Sequence, residues 1–320
     1  MRVVVYGAGG IGGVIAARLH QHGHEALAIA RGEHLDVWRS KGLRVQSPDD
    51  DVVVDVPVVG HPSDVGLRDD DVVVLTMKSQ DTVAALDEVA ALAPDASIVC
   101  AQNGVSNERE ALRRFARVYG ICVMMPTTFI EPGVVQANSA PTSGILDVGR
   151  FPEGSDDLCE QLSAALSSST FSSRPDPAIM RQKHAKLLMN LGNSVHAVCG
   201  DARGARDIHA ALRAEGEAVL AAAGIDRASA EEDAARRGDL LQMRPIDGAM
   251  RGGGSTWQSF ARGTGSIEVD HLNGEIVLLG RLHGVPTPAN ALLQRLANAA
   301  ARDRREPGFL SPDDLLSLLA

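Results

Sequence analysis

The chain has 320 residues, a formal net charge of −10 and 44% hydrophobic residues, a length that suits two domains and a composition that excludes wholesale disorder. The acidic charge argues against nonspecific nucleic-acid binding, and the sequence lacks the run of about 18 apolar residues that a transmembrane helix needs. The four cysteines are widely spaced and form no CxxC pair, which argues against a structural zinc site and against a disulfide framework. A reducing cytoplasm fits this cysteine pattern best. We therefore expect no metal ion, no nucleic acid and no membrane among the partners of this protein.

Up to about residue 175, short runs rich in valine and isoleucine alternate with helical stretches. Such runs, which are apolar without alternation, are typical of parallel strands buried on both faces. Strands are predicted at residues 2–6, 26–30, 71–76, 97–101 and 119–124, and crossover helices at residues 11–22, 82–92 and 106–115. This order predicts a doubly wound α/β sheet.

Turn residues between β-branched runs predict two hairpins in the same half. One covers residues 43–56 with its turn at 48–51, and the other covers residues 127–138 with its turn at 131–133. Acidic runs at residues 49–51 and 69–71 precede strands, and we interpret them as solvated turn residues.

After Arg174 the strand pattern stops and helical periodicity takes over. Helices are predicted at residues 178–199, 208–223, 229–238, 267–282 and 289–302, with an ordered glycine-rich loop at residues 245–254. We therefore predict an α/β domain over residues 1–174 and an all-α domain over residues 175–320. The apolar residues 276–279 fit either the interior of the second domain or a contact in a homodimer.

The strongest local motif is a glycine-rich turn between the first strand and the first helix. It consists of Gly7, Ala8, Gly9, Gly10, Ile11 and Gly12. Gly7 permits a sharp turn, Gly9 lets the backbone approach a pyrophosphate, and Gly12 lets the helix pack closely on the strand. The free N–H groups at the helix start then attract the anion. The motif predicts a Rossmann-type dinucleotide-binding domain, the alternative being a glycine-rich turn without a ligand.

Charged residues at the ends of later strands bear on which dinucleotide binds. Arg31 stands after the second predicted strand, where an acid would hold the ribose of NAD, and its guanidinium suits the 2′-phosphate of NADP(H). Glu33, two residues later, keeps NAD as an alternative. Lys78 follows the strand at 71–76 and is either a second positive charge near the phosphates or a solvated surface lysine.

A polar stripe runs along the otherwise apolar helix predicted at residues 178–199. Lys186, Asn190 and then Asn193 or Ser194 recur at spacings of three and four, which places them on one face. The stripe is either a solvated face with a hydrogen-bond network or part of a functional site. In the functional interpretation Lys186 donates a proton, and Asn190 holds the ammonium group or the substrate.

Two further clusters have two explanations each. Asn103, in Gln102-Asn103-Gly104 after the strand at 97–101, either faces cofactor and substrate or is an ordinary turn asparagine. Ser255 either binds a carboxylate together with backbone N–H groups at a helix start or is a helix N-cap. Glu268 is either part of the same cluster or a surface acid.

In this order and spacing, the motifs resemble the ketopantoate reductase family (2-dehydropantoate 2-reductases) over nearly the whole chain. The resemblance rests on the turn at 7–12, Arg31, Lys78, Gln102-Asn103-Gly104, Lys186 with Asn190, Ser255, Glu268 with Asn273-Gly274, and the segment VPTPAN at 285–290. It implies a Rossmann domain followed by a helical domain, with the active site in the cleft between them. It also implies NADPH-dependent reduction of a 2-oxo acid to a 2-hydroxy acid, as in the conversion of 2-dehydropantoate to pantoate in pantothenate biosynthesis.

The same resemblance implies roles for individual residues. Lys186 looks like the catalytic lysine that protonates the carbonyl oxygen as hydride reaches C2. Asn103 looks like the asparagine that contacts substrate and cofactor, and Glu268 like the catalytic acid near the cofactor. Substrate-binding positions are matched by Asn190, Ser194 and Ser255, and cofactor-binding positions by the glycine-rich turn, Arg31 and Lys78.

Departures from the family pattern lie on the substrate side. Gly252 stands where asparagine is frequent, Ser259 replaces an acid, and Ser194 stands where asparagine is common. A related branched 2-oxo acid is therefore an alternative to 2-dehydropantoate. Two other functions also stay open, namely an opine-type or 6-phosphogluconate-type dehydrogenase and a non-catalytic NADP(H)-binding regulator.

Overall fold

The valine-rich runs of the N-terminal half become strands of one central sheet in the computed structural model, which describes residues 1–129, 131–200, 204–252, 257–258 and 267–319. In chain order the strands are β1 Val3–Tyr6, β2 Ala26–Ile29, β3 Leu43–Gln46, β4 Asp51–Val54, β5 Val58–Val59, β6 Val72–Leu75, β7 Ser97–Cys100, β8 Val118–Met124, β9 Thr127–Thr128, β10 Val134–Ala137, β11 Ser139–Pro141, β12 Gly144–Arg150, β13 Phe171–Ser172 and β14 Leu241–Met243. The central sheet has the order β13-β12-β8-β7-β6-β1-β2-β5. Only β12 against β8 is antiparallel among its neighbouring pairs.

Helices connect these strands and make up most of the later part of the chain. They are α1 Gly10–Gln21, α2 Gly32–Lys41, α3 Thr82–Leu92, α4 Asn107–Leu112, α5 Asp157–Ser167, α6 Ile179–Asn190, α7 Asn193–Cys199, α8 Arg206–Ala222, α9 Ala230–Arg237, α10 Asn273–His283, α11 Pro288–Arg302 and α12 Pro312–Ser317. Within the described ranges, none of the helices combines the length and the apolar composition that crossing a membrane requires.

Alternate residues of a strand enter two apolar layers on opposite faces of the central sheet. Val3 and Val5 of β1 belong to one buried cluster together with Ile15 of α1. Val4 belongs to a second cluster together with Leu86 of α3. Because both faces are covered, the strands read as continuous apolar runs in the sequence. The predicted doubly wound α/β sheet is confirmed.

Both predicted hairpins form, and they join each other. β3 pairs antiparallel with β4, and β10 pairs antiparallel with β9. β3 and β10 also lie side by side as parallel strands, so the hairpins build one four-stranded sheet, β4-β3-β10-β9. Ile130, which falls in the second predicted hairpin, lies outside the described residues.

The prediction that the acidic runs are solvated is wrong for Asp71, and Asp50 is only partly exposed. Asp71 is fully buried and accepts a hydrogen bond of 2.7 Å from Arg2 Nε. Asp50 accepts bonds of 2.6 Å from both terminal nitrogens of Arg18, which is only 3% exposed. Each carboxylate compensates an arginine taken out of water. A local acidic pattern does not reveal such a partner, because the arginine lies far away in the sequence.

The described chain divides into two units. The first comprises Met1–Asn103, Asn107–Gln182 and Ser229–Arg251, and the second comprises Gly104–Ser106, Lys183–Ala228 and Gly252–Ala320. The predicted division after residue 174 differs from this one, because residues 175–182 and 229–251 belong to the first unit.

Contacts inside the first unit explain why residues 229–251 belong to it. β14 pairs antiparallel with β11, and Arg236 of α9 donates two hydrogen bonds of 2.6 Å to Asp147 of β12. The prediction that no strand follows Arg174 is therefore wrong. With only three residues, β14 is too short to give a periodic signal of its own.

Two helices that the sequence predicts as continuous are interrupted. The helix predicted at 178–199 is broken at residues 191–192 into α6 and α7. At the break, the Leu191 carbonyl accepts hydrogen bonds from the Ser194 hydroxyl at 2.8 Å and from Asn273 Nδ2 at 3.2 Å. The helix predicted at 267–282 begins as a 3-10 turn, Glu268–His271, before α10.

The apolar residues 276–279 mostly face the interior of the second unit. Ile276, Val277 and Leu279 are buried there, which confirms the interior interpretation for these three. Leu278 and Leu282 are exposed on α10. The homodimer stays a prediction.

Asp50→Asn should lower the free energy of unfolding by about 3 kcal/mol at pH 7, because it leaves the buried Arg18 without its anion. The hydrogen bonds from Arg18 hold the pKa of the Asp50 carboxyl below its usual 3.8. This contribution is therefore fully present above pH 3.8 and is lost as the pH falls through the lower pKa of the folded state. Urea unfolding of both proteins between pH 7 and pH ~3 measures it.

Asp51→Asn is the matched control. Asp51 also pairs with an arginine, Arg44, but both side chains are largely exposed, so its loss should cost less than about 1 kcal/mol. Equal losses in the two variants would contradict a structural role for burial of the Arg18–Asp50 pair.

Candidate active site

The glycine-rich turn after β1 has the backbone conformation that its motif predicts. Gly7 has a φ of +93°, and a Cβ there would lie 2.5 Å from Met77 N, so only glycine fits. The amides of Gly7 and Ala8 donate to Ile29 O at the end of β2, over 3.1 and 3.2 Å. These bonds fix the turn against the neighbouring strand.

The close approach of α1 to the sheet depends on Gly12. A Cβ at this position would clash with Thr76 Oγ1 and would lie 3.0 Å from Val5 Cγ1. The Thr76 hydroxyl is itself 3.0 Å from both Tyr6 O and Gly7 O. The residue after β6 is therefore tied to the turn, and the close packing expected at Gly12 is present.

The start of α1 fits an anionic group. Gly9 is the N-cap, no side chain caps the helix, and its first turn contains no acidic residue. A Cβ on Gly9 would make only ordinary van der Waals contacts, the nearest with Phe129 Cδ1 at 3.8 Å. The first N–H groups of a helix lack intrahelical acceptors and lie at the positive end of its dipole. The pyrophosphate of a dinucleotide therefore suits this end of α1.

A buried histidine that no motif indicates supports the same turn. The Nδ1 atom of His34 accepts a hydrogen bond of 2.9 Å from Gly133 N, so Nε2 carries the proton and donates to Ala8 O at 2.9 Å. Burial lowers the pKa of His34, which favours this neutral form. The His34 ring also packs 4.6 Å from the Phe129 ring. A single histidine in α2 gives no sequence signal for this role.

Arg31 stands between β2 and α2 with a side chain that is 84% exposed. Its Nη2 donates to Asp81 Oδ2 at 3.1 Å, in the 3-10 turn Ser79–Asp81 that follows β6. The guanidinium therefore lies at the carboxyl ends of two parallel strands, where α/β sheets bind ligands. Glu33, in the first turn of α2, is exposed as well. The sequence did not indicate Asp81 as a partner.

Carboxamides hold two loops together at the same edge of the sheet. Gln102 Nε2 donates to Met77 O and to Thr82 Oγ1, each over 2.8 Å. Asn107 Nδ2 donates to Asn103 O at 3.0 Å. The loop that carries Lys78 is thereby fixed beside the loop that carries Asn103, and both residues are partly buried.

In the second unit, Lys186 and Asn190 lie one turn apart near the end of α6, and both are partly buried. Asn190 Nδ2 is buried and has no acceptor among the residues that the structure describes. A buried N–H without an acceptor costs about 1–3 kcal/mol, so an oxygen atom of a ligand would be favourable there. Ser194 is 2% exposed, and its hydroxyl proton is used on Leu191 O.

Buried amides anchor the end of α6 to the start of α10. Besides its bond to Leu191 O, Asn273 Nδ2 donates to Asn290 Oδ1 at 3.0 Å, and Asn290 Nδ2 donates to Glu215 Oε2 at 2.8 Å. Glu268 begins the 3-10 turn that leads into α10 and is only 7% exposed. The interpretation of Glu268 as a surface acid is therefore wrong.

The predicted carboxylate-binding residue Ser255 and the departure at Ser259 lie outside the described residues. Gly252 is described, and a Cβ there would lie 3.5 Å from Trp257 Cζ3, which is ordinary contact. Steric space for a Cβ therefore does not explain why glycine stands at this position.

Family models match both parts of the chain. The model described as ketopantoate reductase PanE/ApbA matches residues 3–153, and the model of the C-terminal part of the same family matches residues 178–301. A 2-dehydropantoate 2-reductase of Halobacterium salinarum is 28% identical over 95% of this chain and 100% of its own length. One from Pyrococcus horikoshii is 25% identical over 93% of this chain and 97% of its own length.

Solved structures are similar over most of the chain. A PanE/ApbA family ketopantoate reductase from Ralstonia eutropha superposes with a TM-score of 0.80 at 27% identity, covering 95% of this chain and 99% of that one. D-mandelate dehydrogenase, solved with NADH and anilino(oxo)acetate, also gives a TM-score of 0.80 over the same shares of both chains, at 22% identity. The second likeness shows a shared fold.

Proposed function

Because this chain belongs to the ketopantoate reductase PanE/ApbA family, we propose that it reduces a 2-oxo acid to a 2-hydroxy acid with NADPH in the cytoplasm. The favoured substrate is 2-dehydropantoate, and a related branched 2-oxo acid is the alternative. Relatives named 2-dehydropantoate 2-reductase, similar along almost their whole length, support this choice.

The observation that carries the proposal is the pair formed by Lys186 and Asn190. An ammonium group and a carboxamide N–H stand one helical turn apart, and the carboxamide nitrogen is buried without an acceptor in the described part of the chain. Reduction of a ketone places negative charge on its oxygen. Hydrogen-bond donors held by a helix stabilise that charge, and an ammonium group can also supply a proton.

In the proposed mechanism the cofactor, when bound, supplies hydride to C2 of the substrate. Lys186 donates a proton to the ketone oxygen, which becomes the hydroxyl, and the neutral amine regains its proton from solvent. Asn190 Nδ2 donates a hydrogen bond to a substrate oxygen. Asn103 and Glu268 orient substrate and cofactor, Ser194 and Ser255 line the substrate, and the N–H groups at the turn of residues 7–12 hold the pyrophosphate.

Arg31 supports NADPH over NADH in this proposal. Its exposed guanidinium pairs with Asp81 at 3.1 Å, and because such an exposed pair is weak, a phosphate dianion can replace Asp81 at small cost. Lys78 adds a second cation in the loop after β6.

The substrate class is tested with a panel of 2-oxo acids, each with NADPH and with NADH, followed by nicotinamide absorbance. We expect turnover of 2-dehydropantoate or another branched 2-oxo acid, with kcat/KM at least tenfold higher for NADPH. Turnover only when an amine is added would favour an opine-type dehydrogenase. Oxidation of 6-phosphogluconate would favour a 6-phosphogluconate-type dehydrogenase. Tight NADPH binding without turnover of any substrate would favour the regulator.

Lys186→Met should lower kcat by a factor of about 100 or more, because it removes the proton donor. The dissociation constant for NADPH, measured by fluorescence titration, should stay within threefold. Lys41→Met is the matched control, since Lys41 is an exposed lysine at the end of α2, and it should leave kcat unchanged. A kcat unaffected by Lys186→Met would remove Lys186 from the acid role.

Arg31→Ala should weaken NADPH binding by roughly 10- to 100-fold, the value of a charge-assisted bond to phosphate, and NADH binding by less than threefold. Arg39→Ala removes an exposed arginine from the last turn of α2 and should change neither affinity. Equal losses for both cofactors in Arg31→Ala would show that Arg31 does not read the 2′-phosphate.

A further inference from the structure

Arg251 is the last residue of the first unit, and its guanidinium is held by backbone. Its Nε donates to Thr127 O at 3.1 Å, in the short strand β9. The side chain is partly buried. This bond uses the Nε atom of the guanidinium. The two terminal nitrogens can still donate hydrogen bonds in the parallel geometry that carboxylates accept.

The strand that holds Arg251 lies against the glycine-rich turn. Thr127 Oγ1 is 3.0 Å from the position that a Cβ on Gly10 would occupy, and Phe129 Cβ is 3.4 Å from it. Gly10 is the first residue of α1. Arg251 is therefore anchored to a strand that packs on the helix start where the dinucleotide is proposed to bind.

The charge of Arg251 lacks a counterion in the part of the chain that the structure describes. Its one hydrogen bond goes to a neutral carbonyl, and no described carboxylate lies within ion-pair distance. Burial lowers the pKa of Arg251, with no acid raising it, although a guanidinium keeps its proton in proteins. By contrast, the deeply buried Arg18 and the partly buried Arg236 each have a carboxylate partner. A partly buried cation without an anion is costly unless a ligand supplies one.

We propose that Arg251 binds the carboxylate of the 2-oxo acid and so determines the specificity for acids; this inference rests on the proposed function. The proposed roles of the other cations leave that carboxylate without a positive partner. Arg31 and Lys78 serve the cofactor, and Lys186 serves the ketone oxygen. Ser255, to which the sequence resemblance gives the carboxylate, follows Arg251 by only four residues in the chain.

The test compares wild type, Arg251→Gln and Arg251→Lys on the best 2-oxo acid of the panel and on its primary amide, both with NADPH. Glutamine retains a donor for Thr127 O but carries no charge, whereas lysine keeps the charge without the fork. For Arg251→Gln we expect KM for the acid to rise about 10- to 100-fold, kcat to change less than threefold, and kinetics on the amide to stay unchanged. Arg251→Lys should retain part of the preference for the acid.

Two controls separate this role from other effects. Arg244→Gln removes a half-exposed arginine of the same unit that pairs with Asp49, and it should leave KM for the acid unchanged. The dissociation constant for NADPH without substrate, and the melting temperature, should be unchanged in all Arg251 variants. If Arg251→Gln does not fold, the ratio of acid to amide kcat/KM in Arg251→Lys decides the question.

Each other outcome overturns the inference. An unchanged KM for the acid in an otherwise active Arg251→Gln overturns it alone and leaves the proposed function standing. Weaker NADPH binding in the absence of substrate would assign Arg251 to a cofactor phosphate instead. A wild-type protein that reduces no 2-oxo acid overturns the proposed function and this inference together.

Discussion

The absence of a side chain at two glycines is the constraint on which the cofactor half of the candidate site depends. The backbone at Gly7 lies so close to Met77 that a Cβ would clash with it, and the lack of a Cβ on Gly12 lets α1 approach Val5 and Thr76. With a Cβ at either position the helix start would have to move away from the sheet, and its free N–H groups with it. The Thr76 hydroxyl then links the turn to the end of β6, and Gln102 links the loop after β6 to the loop after β7. The close packing of α1 on the sheet therefore helps to position the turn after β1, the loop after β6 and the loop after β7 at one edge of the sheet.

Four arginines in the first unit differ in the partners that hold their charge. Arg2 is partly buried and Arg18 is deeply buried, and both are compensated by aspartates that the fold also buries or partly buries. Arg31 is exposed, and its aspartate is an exchangeable surface partner. Arg251 is partly buried and bonds only to a carbonyl among described groups. The same residue type thus holds the fold together where its charge is neutralised and is suited to bind an anion where it is not.

Three asparagines in the second unit also differ in whether their carboxamide nitrogens have a partner in the described chain. Asn273 and Asn290 use their carboxamides on helix ends and on Glu215, so they hold α6, α8, α10 and α11 in place. Asn190 has a carboxamide of the same chemistry, but its buried nitrogen has no acceptor within the described segments. The neighbouring amides are satisfied within the chain, whereas the buried nitrogen of Asn190 keeps hydrogen-bond capacity that the described residues do not use.

Most strands of the central sheet, both hairpins and the glycine-rich turn follow from the sequence alone, because each depends on residues close together in the chain: apolar runs, turn residues, and glycines at fixed spacing. The interruption of the helix at residues 191–192, the strand β14 and the burial of Asp71 do not, because each is decided by a partner far away in the sequence. The candidate residues divide along the same line. Motif and resemblance indicated Arg31, Lys186 and Asn190, but Asp81, His34 and Arg251 belong to no local pattern. Local propensity thus determined most of the elements, whereas only the tertiary structure decided which charges are neutralised and which polar atoms lack a partner, since both depend on what packing brings beside them.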